Sequence, residues 1–115
     1  MSAIDDPTRL QHMREAAIDA FSFIDGYSRD DLENDRRSVF ALVKAIEIIG
    51  EAASKVSKDC QNRYPQMPWG DIIGMRNRLV HAYFDIDLDI VWEVVTHDLP
   101  PLLAELDVII ALEVK

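Results

Sequence analysis

Cysteine, basic residues and long apolar runs are all scarce in this chain. A single cysteine, Cys60, stands among 115 residues, which excludes an internal disulfide and fits a reducing compartment. It reads as a bystander near a helix end. No apolar run approaches the roughly 20 residues needed to span a bilayer. The acidic N-terminus, Met1 to Asp6, carries no apolar block of the kind a secretion signal uses. Together these absences predict a cytoplasmic protein with no membrane association. Lysine and arginine number 12 against 21 aspartates and glutamates, a net charge of −9. A chain this acidic does not coat itself with nucleic acid, because non-specific affinity for a polyanion comes largely from cations. It can act on RNA where a few cations converge, or where two subunits build one cleft, and it could equally prefer a basic protein partner.

Strand-like alternation of useful length, internal repeats and low-complexity segments are also missing, and helical spacing takes their place. Asp6-Pro7 predicts a helix start, with Leu10, Met13, Ala17, Phe21 and Ile24 at three- and four-residue intervals and Gly26 as the stop. Ser28 can cap a short turn over Arg29 to Glu33. A long helix follows over about residues 35–58, with a seam of Val39, Leu42, Ile46, Ile49, Ala53 and Val56. Its other face carries Phe40 and Ile48 among charges, which predicts cover on two sides, by another helix or a second subunit. Residues 59–67 read as a loop. Pro68 opens the next helix, running to about Val80 or Tyr83. Asp87 or Asp89 starts another, and Asp98 caps the last, whose apolar face is Leu102, Leu103, Leu106, Ile109 and Ile110. The expectation is one all-α domain over residues 1–115, an antiparallel bundle of four to five helices.

Within this frame one residue stands out. On a helix stepping 100° per residue from Trp69, the residues Ile72, Ile73, Leu79, Val80 and Tyr83 share one apolar stripe, and Arg76 falls near its middle. A charge on a core-facing side is costly unless it is paired. Arg76 therefore needs an internal acid, for which Glu47 or Glu51 on the long helix would serve, or it lines a crevice that receives an anion. Asn77 and His81, four apart, would share one shoulder of the same helix. A cation, an amide and an imidazole around one crevice suggest a phosphate site with a titratable group beside it. Arg76 and His81 are five apart, about 140° around an ideal helix. The helix must loosen before His81, or the two touch different parts of a substrate, or they converge across a dimer axis, the arrangement we favour.

Arg76-x-x-x-x-His81-x-Tyr83 resembles the signature of HEPN-domain ribonucleases, in the branch of HepT-like toxins paired with a minimal nucleotidyltransferase antitoxin. The stretch from Ile46 to Ala53, the run Ile73-Gly74-Met75-Arg76-Asn77 behind Pro68-Trp69, and the pairs Val91-Trp92 and Asp98-Leu99-Pro100 resemble the same branch, so the likeness spans about Thr8 to Leu112. The resemblance implies a HEPN-like fold and a homodimer with two motifs facing one cleft. It implies metal-independent RNA cleavage without a cofactor, toxic to the host cell. It also implies a partner that silences the toxin by transferring AMP to the motif tyrosine, here Tyr83.

The residue types suit that chemistry. RNA carries its own nucleophile, the 2′-hydroxyl. His81 can act as base or acid because its unperturbed pKa lies near 6.5. Arg76 stays charged and offers a fork matched to phosphate oxygens. Asn77 can orient His81 or donate to the phosphate. Plainer readings stand beside these. Arg76 can form a structural ion pair with Glu47 or Glu51, those glutamates can be a solvated face beside Lys44 and Lys55, and Tyr83 can be a core aromatic. Arg78 reads as solvated, and Trp69 and Trp92 as core or interface anchors. Asp85-Ile86-Asp87-Leu88-Asp89 fails as a calcium loop, because Ile90 stands where glycine is required, and it reads as helix-capping acids. His97-Asp98 has no second ligand cluster, so no metal site is expected. The alternatives to a nuclease are a binding module that takes a nucleotide or protein through Arg76, and a purely structural dimerisation domain.

Overall fold

The computed structural model describes residues 4–114. Met1, Ser2 and Ala3 of the acidic N-terminus, and Lys115, lie outside the described residues. Two long helices form the base: α1, Asp6–Phe23, and α2, Arg36–Lys55. Asp5, not Asp6, caps α1 by accepting the Thr8 N–H at 2.9 Å. Asp6 instead accepts the Ser57 N–H at 2.8 Å, just beyond the end of α2. That bond ties the start of α1 to the end of α2, so the two run antiparallel. The reversal between them uses Gly26 at φ +77°, a conformation that costs glycine nothing. It also uses a 3₁₀ turn, Arg29–Asn34, in which Asp31 accepts the Ser28 N–H at 2.7 Å.

The expected seam of α2 is the core: Leu42, Ile46, Ile49 and Ala53 are fully buried, with Val39 and Val56 nearly so. Leu10, Met13 and Ala17 of α1 meet it, also fully buried. Phe40 and Ile48, on the far side of α2, are exposed, so no helix of the same chain covers that face. The segment expected as a loop contains a helix, α3, Lys58–Arg63, capped by Ser57 accepting the Cys60 N–H at 3.1 Å. Buried Gln61 donates to the carbonyls of Ala53 and Val56 at 3.3 and 3.1 Å, so it terminates α2 where no glycine does. Here the polar composition of residues 57–63 hid a helix whose side chains serve as caps.

The expected helix from Pro68 to Tyr83 is broken in two places. It consists of α4, Trp69–Ile73, then α5, Met75–Leu79, with a bend at Gly74. At Val80 the backbone becomes extended, with φ −125° and ψ 112°. A small hairpin follows, β1, Val80–Ala82, paired antiparallel with β2, Asp85–Ile86. The β-branched residues Val80 and Ile86 favour extended backbone, and this local preference overrides a helical period that Leu79, Val80 and Tyr83 happened to fit. Asp87, as expected, caps α6, Leu88–Glu93, by accepting the Ile90 N–H at 3.1 Å.

Asp98 is not a cap. The chain stays helical through a π-turn, Val94–Asp98, into α7, Leu99–Glu113, and the Leu99 N–H donates to the carbonyl of Val94. The wider turn accommodates Pro100 and Pro101, which lack N–H groups and whose rings collide with carbonyls one α-turn back. The apolar face of α7 is as expected, with Leu106 and Ile109 fully buried. At its far end Glu113 accepts from Arg63 at 2.7 Å and from the Tyr64 hydroxyl, locking α7 to α3. The result is an all-α fold with one small hairpin. Among the described residues no helix is long and apolar enough to cross a membrane.

One close approach sets the position of α4. A Cβ on Gly50 would lie 3.1 Å from the carbonyl oxygen of Ile73 and 3.2 Å from that of Ile72. Gly50→Val is expected to lower stability by roughly 1–3 kcal/mol, the usual cost of overpacking, as an earlier urea midpoint. An unchanged midpoint would show that the crossing relaxes freely. A second expectation concerns acid. Asp35, the cap of α2, has its carboxyl lowered from 3.8 to about 2, first by the Tyr27 hydroxyl and then by the N–H and hydroxyl of Ser38. A depressed folded-state pKa contributes stability above pH 3.8, and that contribution is lost as pH falls towards 2. The melting-temperature gap between the wild type and Asp35→Asn should therefore shrink over that interval, and a gap independent of pH would refute the assignment.

Candidate active site

The bend at Gly74 turns Arg76 back onto α2. Its guanidinium borders a groove of about 180 Å³, lined by Glu47, Gly50, Glu51, Ile73 and Asn77. Thus Arg76, Asn77, Glu47 and Glu51 come together. The Arg76 side chain is 43% exposed, so it is not sealed in the core. Its Nε is buried with no hydrogen-bond partner, and the nearest carboxylate oxygen, on Glu47, is 3.9 Å away. Glu47 is meanwhile engaged by Lys44 at 3.0 Å. A separation of 3.9 Å between half-exposed groups gives a weak ion pair. The groove therefore presents a cation with its N–H groups incompletely satisfied, between two acids that limit how much negative charge it can attract.

His81 does not line that groove. Because α5 ends at Leu79, the imidazole sits on β1 and not on the shoulder of a helix shared with Asn77. It is 57% exposed, and its Nε2 lies 3.3 Å from Oδ2 of Asp87. The expected single crevice holding Arg76, Asn77 and His81 is therefore absent within one chain. Tyr83 moves further still. It occupies the hairpin tip with Phe84, the two rings edge to face at 5.2 Å, and it is 93% exposed. The core-aromatic reading of Tyr83 is overturned, and its side chain stands in solvent. Tyr83 and Phe84 border a groove of about 460 Å³ with Arg36 and Phe40, the Arg36 guanidinium lying 5.1 Å over the Phe40 ring.

Asp87 was legible as a cap but not as the partner of His81. The six-residue separation brings the two together only across a hairpin, and no hairpin was expected. Its carboxyl is held below the ordinary range, first by the Ile90 N–H and then by His81. Cys60 is no candidate nucleophile: burial pushes its thiol up to about 11, with Glu113 adding to the shift. Arg78 reaches Asp98 at 3.4 Å on a face with a roomier groove of about 440 Å³, which includes Asp71, Met75 and His97 but none of Arg76, His81 or Tyr83.

Comparison with known proteins places this geometry in context. The family described as Ribonuclease HepT-like matches residues 13–109. "Putative RNase MJ1380" of Methanocaldococcus jannaschii is 32% identical over 109 residues, 95% of this chain and 100% of its own length. "Probable ribonuclease HepT" of Thermococcus cleftensis is 35% identical over 92 residues, 76% of this chain and 84% of its own. No solved structure matches the chain.

The geometry of Arg76 has a direct consequence for stability. Replacing Arg76 by alanine should change the free energy of unfolding by less than about 1 kcal/mol, as for other exposed ion pairs. Denaturant titration checks this, and a loss several times larger would return Arg76 to a structural role.

Proposed function

The chain belongs to the HepT-like ribonuclease family, and on that premise we propose that it is the toxin of a toxin–antitoxin pair, a metal-independent endoribonuclease. Arg76 and His81 act at a homodimer cleft, and a nucleotidyltransferase partner silences the enzyme by transferring AMP to Tyr83. The observation that carries this reading is the state of Arg76: the fold leaves its guanidinium half exposed and 3.9 Å from the nearest acid. A cation that the fold does not tie up, in a chain of net charge −9, suits a ligand that is itself an anion.

The reaction follows from the residue chemistry. The 2′-hydroxyl of RNA attacks the adjacent phosphorus as a base removes its proton, and the P–O5′ bond breaks as an acid protonates the leaving oxygen. The products are a 2′,3′-cyclic phosphate and a 5′-hydroxyl. One His81 serves as the base and the His81 of a second copy as the acid, so the two motifs act together across the cleft. Arg76 neutralises the charge that develops on the phosphoryl oxygens. Asn77, on the same helix, donates to the phosphate, while Glu47 and Glu51 flank the guanidinium across the groove. Exposed Phe40 and Ile48 on α2 give the second copy an apolar face to meet. The exposure of Tyr83 leaves its hydroxyl open to attack the α-phosphate of ATP, with pyrophosphate leaving.

Host growth and cleavage of a radiolabelled RNA by the purified chain test the reading. His81→Ala should lower cleavage by about 10²–10⁴-fold, the range for loss of a general acid–base, and should abolish growth arrest. Co-expression with the partner should add adenylate mass to the wild type but not to Tyr83→Phe. Cleavage by His81→Ala at the wild-type rate would refute the proposal.

A further inference from the structure

The partner of His81 is fixed from several directions. The Asp87 N–H donates to the carbonyl of Leu79 at 2.7 Å, its carbonyl accepts the Val91 N–H at 3.0 Å, and its Oδ1 accepts the Ile90 N–H at 3.1 Å. These bonds close the hairpin and open α6 at one residue. They leave Oδ2 as the free carboxylate oxygen, 3.3 Å from His81 Nε2. Asp87 is also the less exposed of the two, 29% against 57%. Asp87, held by three hydrogen bonds to the backbone, is thus the anchor and the imidazole the more exposed member. Other charges nearby do not compete: Asp89 is taken by Arg29 at 2.6 Å, and Asp85 is exposed on β2. Among the described residues Asp87 is the charged group within ion-pair distance of His81.

We propose that Asp87 is the positioning residue of the catalytic histidine: it holds the proton on Nε2 and so makes Nδ1 the atom that exchanges a proton with RNA. This rests on the nuclease reading above and names the working atom within it. A carboxylate accepts and cannot donate, so the neutral ring keeps its proton on Nε2 and directs its lone pair from Nδ1. When Nδ1 takes the 2′-hydroxyl proton, the imidazolium that forms is stabilised by Asp87, which itself stays ionised. In the second copy the same pairing lets a protonated Nδ1 deliver its proton to the leaving 5′ oxygen.

The test uses Asp87→Asn, since asparagine also caps helices well and keeps α6 in place. Cleavage is expected to fall by roughly 10- to 100-fold, carried by kcat with little change in KM. Nitrogen-15 NMR of the wild-type chain, with His81 assigned by its absence in His81→Ala, should show the neutral Nε2–H tautomer. An Nδ1–H tautomer, or an Asp87→Asn protein with wild-type kcat, would overturn the inference while a dead His81→Ala left the nuclease reading standing. Undiminished cleavage by His81→Ala would remove that reading and the catalytic role of the pair with it. The tautomer is read without activity, so it decides the pairing even where the substituted chain folds poorly.

Discussion

The close crossing at Gly50 is the constraint from which the site follows. The absence of a side chain at Gly50 lets α4 approach closely, and the carbonyl oxygens of Ile72 and Ile73 would press on a Cβ there at 3.2 and 3.1 Å. That contact brings the end of α4 down onto α2, and the bend at Gly74 then carries Arg76 alongside Glu47. Leu79, fully buried, fixes the far end of α5 in the core. Between these two points the chain has little freedom, so the guanidinium is aimed by packing and not by a strong ion pair. A cation aimed in this way stays available to a ligand, whereas one aimed by a carboxylate would already be neutralised.

Much of this was legible in the sequence, and the failures share a cause. The seam of α2 was readable because twenty residues repeat one period and every seam position is buried. The caps at Ser28 and Asp87 obey local chemistry that needs no tertiary knowledge. What misled was extrapolation along short segments. Leu79, Val80 and Tyr83 fit a helical stripe, yet β-branched Val80 and Ile86 favour the extended strands of a hairpin. That single error put Tyr83 in the core and placed His81 beside Asn77, and it concealed Asp87 as the partner of His81. The caps at Asp6 and Asp98 failed differently: another acid was better placed one residue earlier, and a pair of prolines was absorbed by a π-turn.

The acidic balance of the chain and its family membership are compatible once charge is considered locally. An enzyme that must release its product, and must not be trapped on every polyanion it meets, gains from keeping its cations few. Glu47 and Glu51 beside Arg76 weaken the positive field at the groove. Within one chain His81 lies outside the groove that Arg76 borders, so the two residues present separate surfaces.

The burial of Cys60 has a practical corollary. Its sulfur sits in the core near Glu113, protonated at neutral pH and out of reach of thiol reagents. The native protein is in effect a thiol-free background. One cysteine introduced on the exposed face of α2 would take a spin label alone, and the spacing between two such labels would measure how copies of this chain sit against each other in solution.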